Sequence, residues 1–135
     1  MKVFIDANLL IYLNTVKTVV WRRFIEDFYL NLLSSFKGCT DALVLDEAIY
    51  ISYKKHKVPY RVTLEFIDSV VLPFVEVLPL SEREYEKAAE ILRVLDIKPS
   101  DALHAAAMTL NNVSRIASED KEFEKVRGIT RIWLP

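Results

Sequence analysis

With Cys39 as its only cysteine, the chain can form no internal disulfide and offers no thiolate cage for zinc, so a reducing cytoplasm is its expected location. An excess of one charge is also missing. The 18 Lys and Arg against 19 Asp and Glu leave a formal net charge of −1, which excludes a disordered acidic chain and a generally basic nucleic-acid binder. Any grip on phosphate must therefore be local or carried by a metal ion. No apolar run approaches the ~20 residues of a membrane span. The opening MKVFIDANLLIYL carries an acid at its sixth position and lacks a small-residue cleavage site, which argues against a signal peptide. Glutamine is absent and glycine occurs twice, while Lys, Arg and Glu are plentiful, a bias that resembles heat-adapted composition.

What is present is apolar. At 135 residues and 52% hydrophobic content, one domain spanning residues 1–135 with an ample core is expected. Val3-Phe4-Ile5 reads as a short strand ending at an acid, and Leu9 to Leu13 as the helix that follows. From Val19 to Phe36 apolar residues recur at spacings of three and four, the mark of a long helix, which Lys37-Gly38 should stop. Further helices are expected at Ala42 to Lys55, Arg61 to Val71, Glu82 to Leu95 and Asp101 to Leu110, with a short one from Ser118-Glu119-Asp120 to Val126. Ser81 with Glu84 forms a capping-box start and Pro99-Ser100 opens the next helix. Strands are expected at Val75 to Leu78, Val113 to Ala117 and, beyond Gly128, Ile129 to Trp133. This alternation predicts an α/β fold, a three-layer sandwich whose central, mainly parallel sheet is flanked by helices.

Four acids stand out. Asp6 and Asp120 fall just after expected strands, where open α/β sheets bind ligands, and Asp101 lies in the first turn of a helix. Each of the three is also explained by ordinary helix capping or dipole chemistry. Glu47 is harder to dismiss, because it interrupts a helix that is apolar almost all round, Ala42-Leu43-Val44-Leu45 before it and Ala48-Ile49-Tyr50-Ile51 after. Periodicity does not decide between Glu47 and its neighbour Asp46. Like charges 4 Å apart at an effective dielectric of 20 repel by ~4 kcal/mol, so a carboxylate cluster calls for a cation. Hard oxygen donors without cysteine favour Mg²⁺ or Mn²⁺.

FIDANLLIY, LVLDEAIY, KPSDALHAA and IASEDKEFEKV, in that order and across nearly the whole chain, resemble the four acidic motifs of PIN domains. The resemblance implies a parallel sheet flanked by helices, with Asp6, Glu47, Asp101 and Asp120 as the catalytic and metal-binding acids. Its second motif places the acid at Glu47. Asn8 and Ser118 match supporting polar positions, Ser118 standing where Thr is more usual and Glu122 where a further Asp often stands. The implied activity is metal-dependent hydrolysis of RNA phosphodiesters that leaves 5′-phosphate and 3′-hydroxyl ends. Asp6 is expected to coordinate the metal directly with one or more of the others, while Asp101 or Asp120 acts through water or as base. The small size looks most like the VapC-like toxins of type II toxin–antitoxin pairs, homodimers neutralised by an antitoxin peptide lying across the site.

Lys54, Lys55, His56, Lys57 and Arg61 form the densest basic stretch. It reads either as a guide for an RNA backbone, with Tyr53 or Tyr60 to stack a base, or as a solvated helix end. His104, one turn beyond Asp101, reads as a packed histidine or as a contact to the site. The aromatic-rich segment Trp21 to Phe36 reads as core or as a dimer surface. Two other functions compete with the nuclease. One is a catalytically silent PIN domain that binds RNA or serves assembly, against which the intact acids argue. The other is an aspartyl-phosphate hydrolase, whose pattern needs a second Asp where this chain has Asn8.

Overall fold

The computed structural model describes residues 1–135 as five parallel strands and six α-helices. Strand β1 (Lys2–Ile5) is followed by α1 (Ala7–Thr15) and α2 (Val19–Ser35), and β2 (Lys37–Asp41) by α3 (Ala42–His56) and α4 (Tyr60–Phe66). Then come β3 (Val75–Leu78), α5 (Glu82–Val94), α6 (Pro99–Leu110), β4 (Arg115–Ala117) and β5 (Thr130–Ile132). A single wide turn, Ile67–Val71, prolongs α4, and a 3₁₀ turn, Lys121–Lys125, precedes β5. No helix is long and apolar enough to cross a membrane.

The strand order is β3-β2-β1-β4-β5, and every pair is parallel. From β1 the chain steps outward to β2 and β3, then crosses back to β4 on the other side of β1. Helices α1 to α4 pack on one another and α5 packs on α6, the two groups that the right-handed crossover rule sets on opposite faces of the sheet. With both faces covered, the central strand has no polar side: Val3, Phe4 and Ile5 are all fully buried. The order reverses between β1 and β4, and the crevice outside those two strand ends is where such sheets bind ligands.

Sequence periodicity located the long elements and missed one strand. Lys37 to Asp41 ends the helix before it, as expected, but is itself β2, next to the centre of the sheet. Its KGCTD has no apolar alternation, because its side chains are not what fills the layer. Gly38 admits Leu33: a Cβ there would stand 2.7 Å from Leu33 Cδ2 and 3.2 Å from Val75 Cγ2. Thr40 hides its hydroxyl by donating to the Ile5 carbonyl at 2.9 Å. The other boundaries lie within a few residues of expectation. In the Ser81–Glu84 capping box, the Glu84 carboxylate accepts from both the backbone N–H and the hydroxyl of Ser81, at 2.7 and 2.6 Å. Gly128 takes a φ of +86°, a left-handed value that glycine adopts without strain, and turns the chain into β5.

Candidate active site

Asp6 leaves the C-terminal end of β1 and caps α1, its Oδ1 accepting from the Ala7 N–H at 2.8 Å. Its Oδ2 accepts from the Ser118 hydroxyl at 2.5 Å, just past the end of β4. The same Ser118 oxygen accepts the Asp120 N–H at 3.0 Å and lies 3.3 Å from the donor Asn8 Nδ2. Asn8 reaches back across the crevice, its Oδ1 accepting from the Glu119 N–H at 3.2 Å. Asp120 in turn caps the 3₁₀ turn by accepting from the Glu122 N–H at 2.9 Å. Asp6, Asn8, Ser118 and Asp120 are thus one hydrogen-bonded unit, closed over the reversal point between β1 and β4. The capping chemistry that explains Asp6 and Asp120 locally is present, and it also fixes the orientation of both carboxylates.

Asp101 and Glu47 join this unit through space. Asp101 is buried in the first turn of α6, and its Oδ2 has no hydrogen-bond partner. Burial, with the charges of Asp120 and Asp6 close by, pushes its carboxyl up to about 6. Glu47 is exposed on α3, yet partial desolvation and then the charge of Asp6 raise its carboxyl as well. Asp46 and Glu47 line one cavity of about 240 Å³ with Leu43, Tyr50, Ser100 and His104. Asp120, like Asp6, acts to raise the Glu47 carboxyl. Burial raises Asp6 too, opposed by His104 and by its bonds from Ser118 and Ala7.

Asp41 was not among the acids that the motifs singled out. Fully buried at the end of β2, it caps α3 with Oδ1, 3.0 Å from the Val44 N–H, and accepts at Oδ2 from His104 Nδ1 at 2.7 Å. An Asp directly before Ala42-Leu43-Val44 is an N-cap signal that could have marked it. Burial alone would pull the His104 imidazole down; the Asp41 bond and charge, with Asp6 and Asp101 beyond, carry it above its ordinary value. His104 is therefore both packed, between Phe4 and Phe123, and electrically part of the acid cluster. Glu122 turns to Lys125, 2.7 Å away. The basic stretch sits at the far end of α3, and Tyr53 and Tyr60 pack on each other with ring centroids 4.6 Å apart.

A divalent cation fits this donor set in part. Four carboxylates supply hard oxygens, and Asp101 Oδ2 is a buried acceptor that no protein donor satisfies. As the side chains lie, no three of them converge on one ion. Mg²⁺ does not require such a cage, since it keeps several waters and takes one or two carboxylates.

The fold and these motifs meet in a known family: the PIN domain profile matches residues 3–129, and the chain belongs to the PIN-domain family. Within it, ribonuclease VapC13 of Mycobacterium tuberculosis is 31% identical over 96 residues, 69% of this chain and 70% of that protein. Among solved structures, DNA-bound VapBC from Salmonella typhimurium superposes with a TM-score of 0.74 at 21% identity, covering 98% of each chain. A toxin–antitoxin complex from Klebsiella pneumoniae superposes with a TM-score of 0.66 at 17% identity, covering 95% of each.

Proposed function

We propose that the chain is a metal-dependent endoribonuclease that uses Mg²⁺ or Mn²⁺ held among Asp6, Glu47, Asp101 and Asp120, and that it is the toxin of a toxin–antitoxin pair. The observation that carries the reading is the unpartnered Asp101 oxygen, buried beside acids that raise its pKa. A bound divalent cation supplies charge stabilisation for the phosphate and makes a water easier to deprotonate. The protein's own part is positioning. Ser118 and the Ala7 N–H hold both oxygens of Asp6, so its orientation is set before substrate arrives. Asp101, whose buried Oδ2 has no donor, is placed to take the proton of the attacking water, with Asp120 as the other acceptor in reach of the same crevice. The exposed Lys54, Lys55, Lys57 and Arg61 would attract the RNA backbone toward α3.

The test is cleavage of RNA by the purified chain. Activity is expected with Mg²⁺ or Mn²⁺ and none in EDTA; cleavage that survives chelation would sink the reading. Glu47→Gln should lose roughly a hundredfold or more in rate while keeping its melting temperature in EDTA, whereas Asp46→Asn should be nearly silent on both. The reverse result would move the second acid to Asp46.

A homodimer, with an antitoxin as the other protein partner, completes the proposal. Val19, Val20 and Leu30 on α2 are 76, 79 and 61% exposed, and Trp21 and Phe24 stack on the surface with centroids 5.6 Å apart. Ile25, Tyr29 and Leu32 hold the opposite side of the helix in the core, so α2 is apolar on both faces. Light scattering at micromolar concentration should return twice the chain mass; a monomer would count against the dimer.

A further inference from the structure

A cavity rich in basic side chains lies away from the acids. It measures about 500 Å³ and is lined by Asn14, Thr15, Lys17, Arg22, His56 and Val58 among others, with no acid in its wall. Lys17, Arg22 and His56 come from three separate places in the chain, and none is in an ion pair. In a protein of net charge −1, three unpaired basic side chains around one hollow are a local exception. Lys17 and Arg22 also bracket the first turn of α2, whose N-cap Thr18 makes no side-chain bond to the free N–H groups there. The partial positive charge of that helix end adds to Lys17 and Arg22.

The cavity is tied to the acid cluster by two packed helices. Helix α1 starts at its cap Asp6 and reaches the cavity at Asn14, about 12 Å further on at 1.5 Å per residue. Helix α3 starts at its cap Asp41, passes Glu47, and reaches the cavity at His56, about 14 Å beyond Glu47. Asn14 donates to Ser52 Oγ at 3.1 Å and to Thr63 Oγ1 at 2.8 Å, which pins the end of α1 to α3 and α4. Acids at one end and cations at the other thus stand at a fixed separation.

We propose that this cavity is a second phosphate site, one that holds the backbone of the RNA strand a few nucleotides from the bond that is cut. This rests on the ribonuclease reading for its substrate. It predicts that a substrate must be long enough to span both ends of α1 and α3 before it binds tightly. Exposed Lys54, Lys55, Lys57 and Arg61 on the same helix end would then be the approach to the site, and Lys17, Arg22 and His56 its seat.

The experiment compares the full chain with its Lys17→Gln/Arg22→Gln double variant, both of whose changes are at exposed positions. Binding of labelled oligoribonucleotides, which stay intact without a divalent ion, is measured in EDTA by fluorescence anisotropy across a salt series. For an oligonucleotide of about ten residues, the variant should bind roughly tenfold more weakly, and its log K against log salt should be shallower by about 0.7, one phosphate's worth. A dinucleotide substrate, which must sit at the acids to be cut, should show the same KM with both proteins in Mg²⁺. In cleavage assays KM for the long substrate should rise with kcat unchanged, and Arg22→Lys should retain most of the affinity. An equal loss on short and long oligonucleotides, or no loss on either, overturns the proposal. So does competition by a polyglutamate peptide as effective as that of the oligonucleotide, which would assign the cavity to an acidic protein segment. Should the wild-type chain cut no RNA while the length-dependent binding persists, the nuclease reading fails and the phosphate site stands.

Discussion

Asp101→Asn is expected to lower RNA cleavage by roughly a hundred- to a thousandfold and, in EDTA near pH 7.5, to raise the melting temperature. The two effects come from one cause. At that pH the wild-type carboxylate is ionised in a buried place, beside Asp120 and Asp6, without a donor on Oδ2. The asparagine keeps the shape and removes the charge. A displacement of the carboxyl from 3.8 to about 6 corresponds to a cost of order 1–3 kcal/mol. Because the folded pKa lies above the unfolded one, this contribution to stability is fully present below about pH 3.8 and lost as pH rises through about 6. The raised pKa values of Glu47 and His104 act in the same direction. Against them, Glu84 is held low, chiefly by its bonds from Ser81, so its contribution is present above 4.5 and fades as pH falls. Metal-free wild type should therefore be most stable near pH 4.5 or a little below and weaken as pH rises through 6 toward 7.5. The Asn variant should weaken less, its advantage about halved at pH 5 and gone only below about pH 3.8. Saturating Mg²⁺ should stabilise the wild type more than the variant and shrink or reverse the difference. Thermal melts at pH 5 and 7.5, with and without Mg²⁺, check the set. A variant less stable than wild type in EDTA at pH 7.5 would mean that the Asp101 carboxylate is stabilised by the protein itself and not by a cation.

Most helices were legible because each must show one face to the sheet and the rest to water, and that constraint writes a period of three to four residues into the sequence. Strands of a fully covered sheet write no such period. Val3-Phe4-Ile5 was readable as a continuous apolar run, but Lys37 to Asp41 was not, since its buried positions are a glycine, a cysteine, a threonine and an acid. The acids divide the same way. Asp6 and Asp120 announced themselves by following strands, and the network through Ser118 and Asn8 joins residues more than a hundred positions apart, which local pattern cannot supply. Glu47 and Asp46 differ only in which way α3 is rotated, a tertiary fact. Asp41 was hidden with its strand, and His104 could be weighed only as packed or functional when it is in both positions at once.

Separating the Asp41–His104 pair should be the most damaging single change to the fold outside the apolar core. Both partners are buried, and their bond is 2.7 Å long. Removing one side of a buried ion pair strands the other charge, at a cost of about 3–5 kcal/mol. For a chain of 135 residues that is a fall in melting temperature on the order of 10–20 °C. His104→Ala leaves Asp41 with the Val44 N–H as its one remaining donor and opens space between Phe4 and Phe123, so it should sit at the upper end of that range. Asp41→Ala loses the cap of α3 as well as the pair. Asp41→Asn separates these contributions, since asparagine caps a helix as well as aspartate does and can still bond to a neutral imidazole; it should cost less than Asp41→Ala. Asp41→Leu/His104→Met, which removes both charges and keeps apolar bulk, should recover part of the loss despite carrying two changes. A coupling energy of about 2–4 kcal/mol in the full cycle is expected from a pair that is good together and costly apart. Additive losses across the cycle would mean that the histidine and the aspartate serve the fold separately, one as packing between the two phenylalanines and the other as a helix cap.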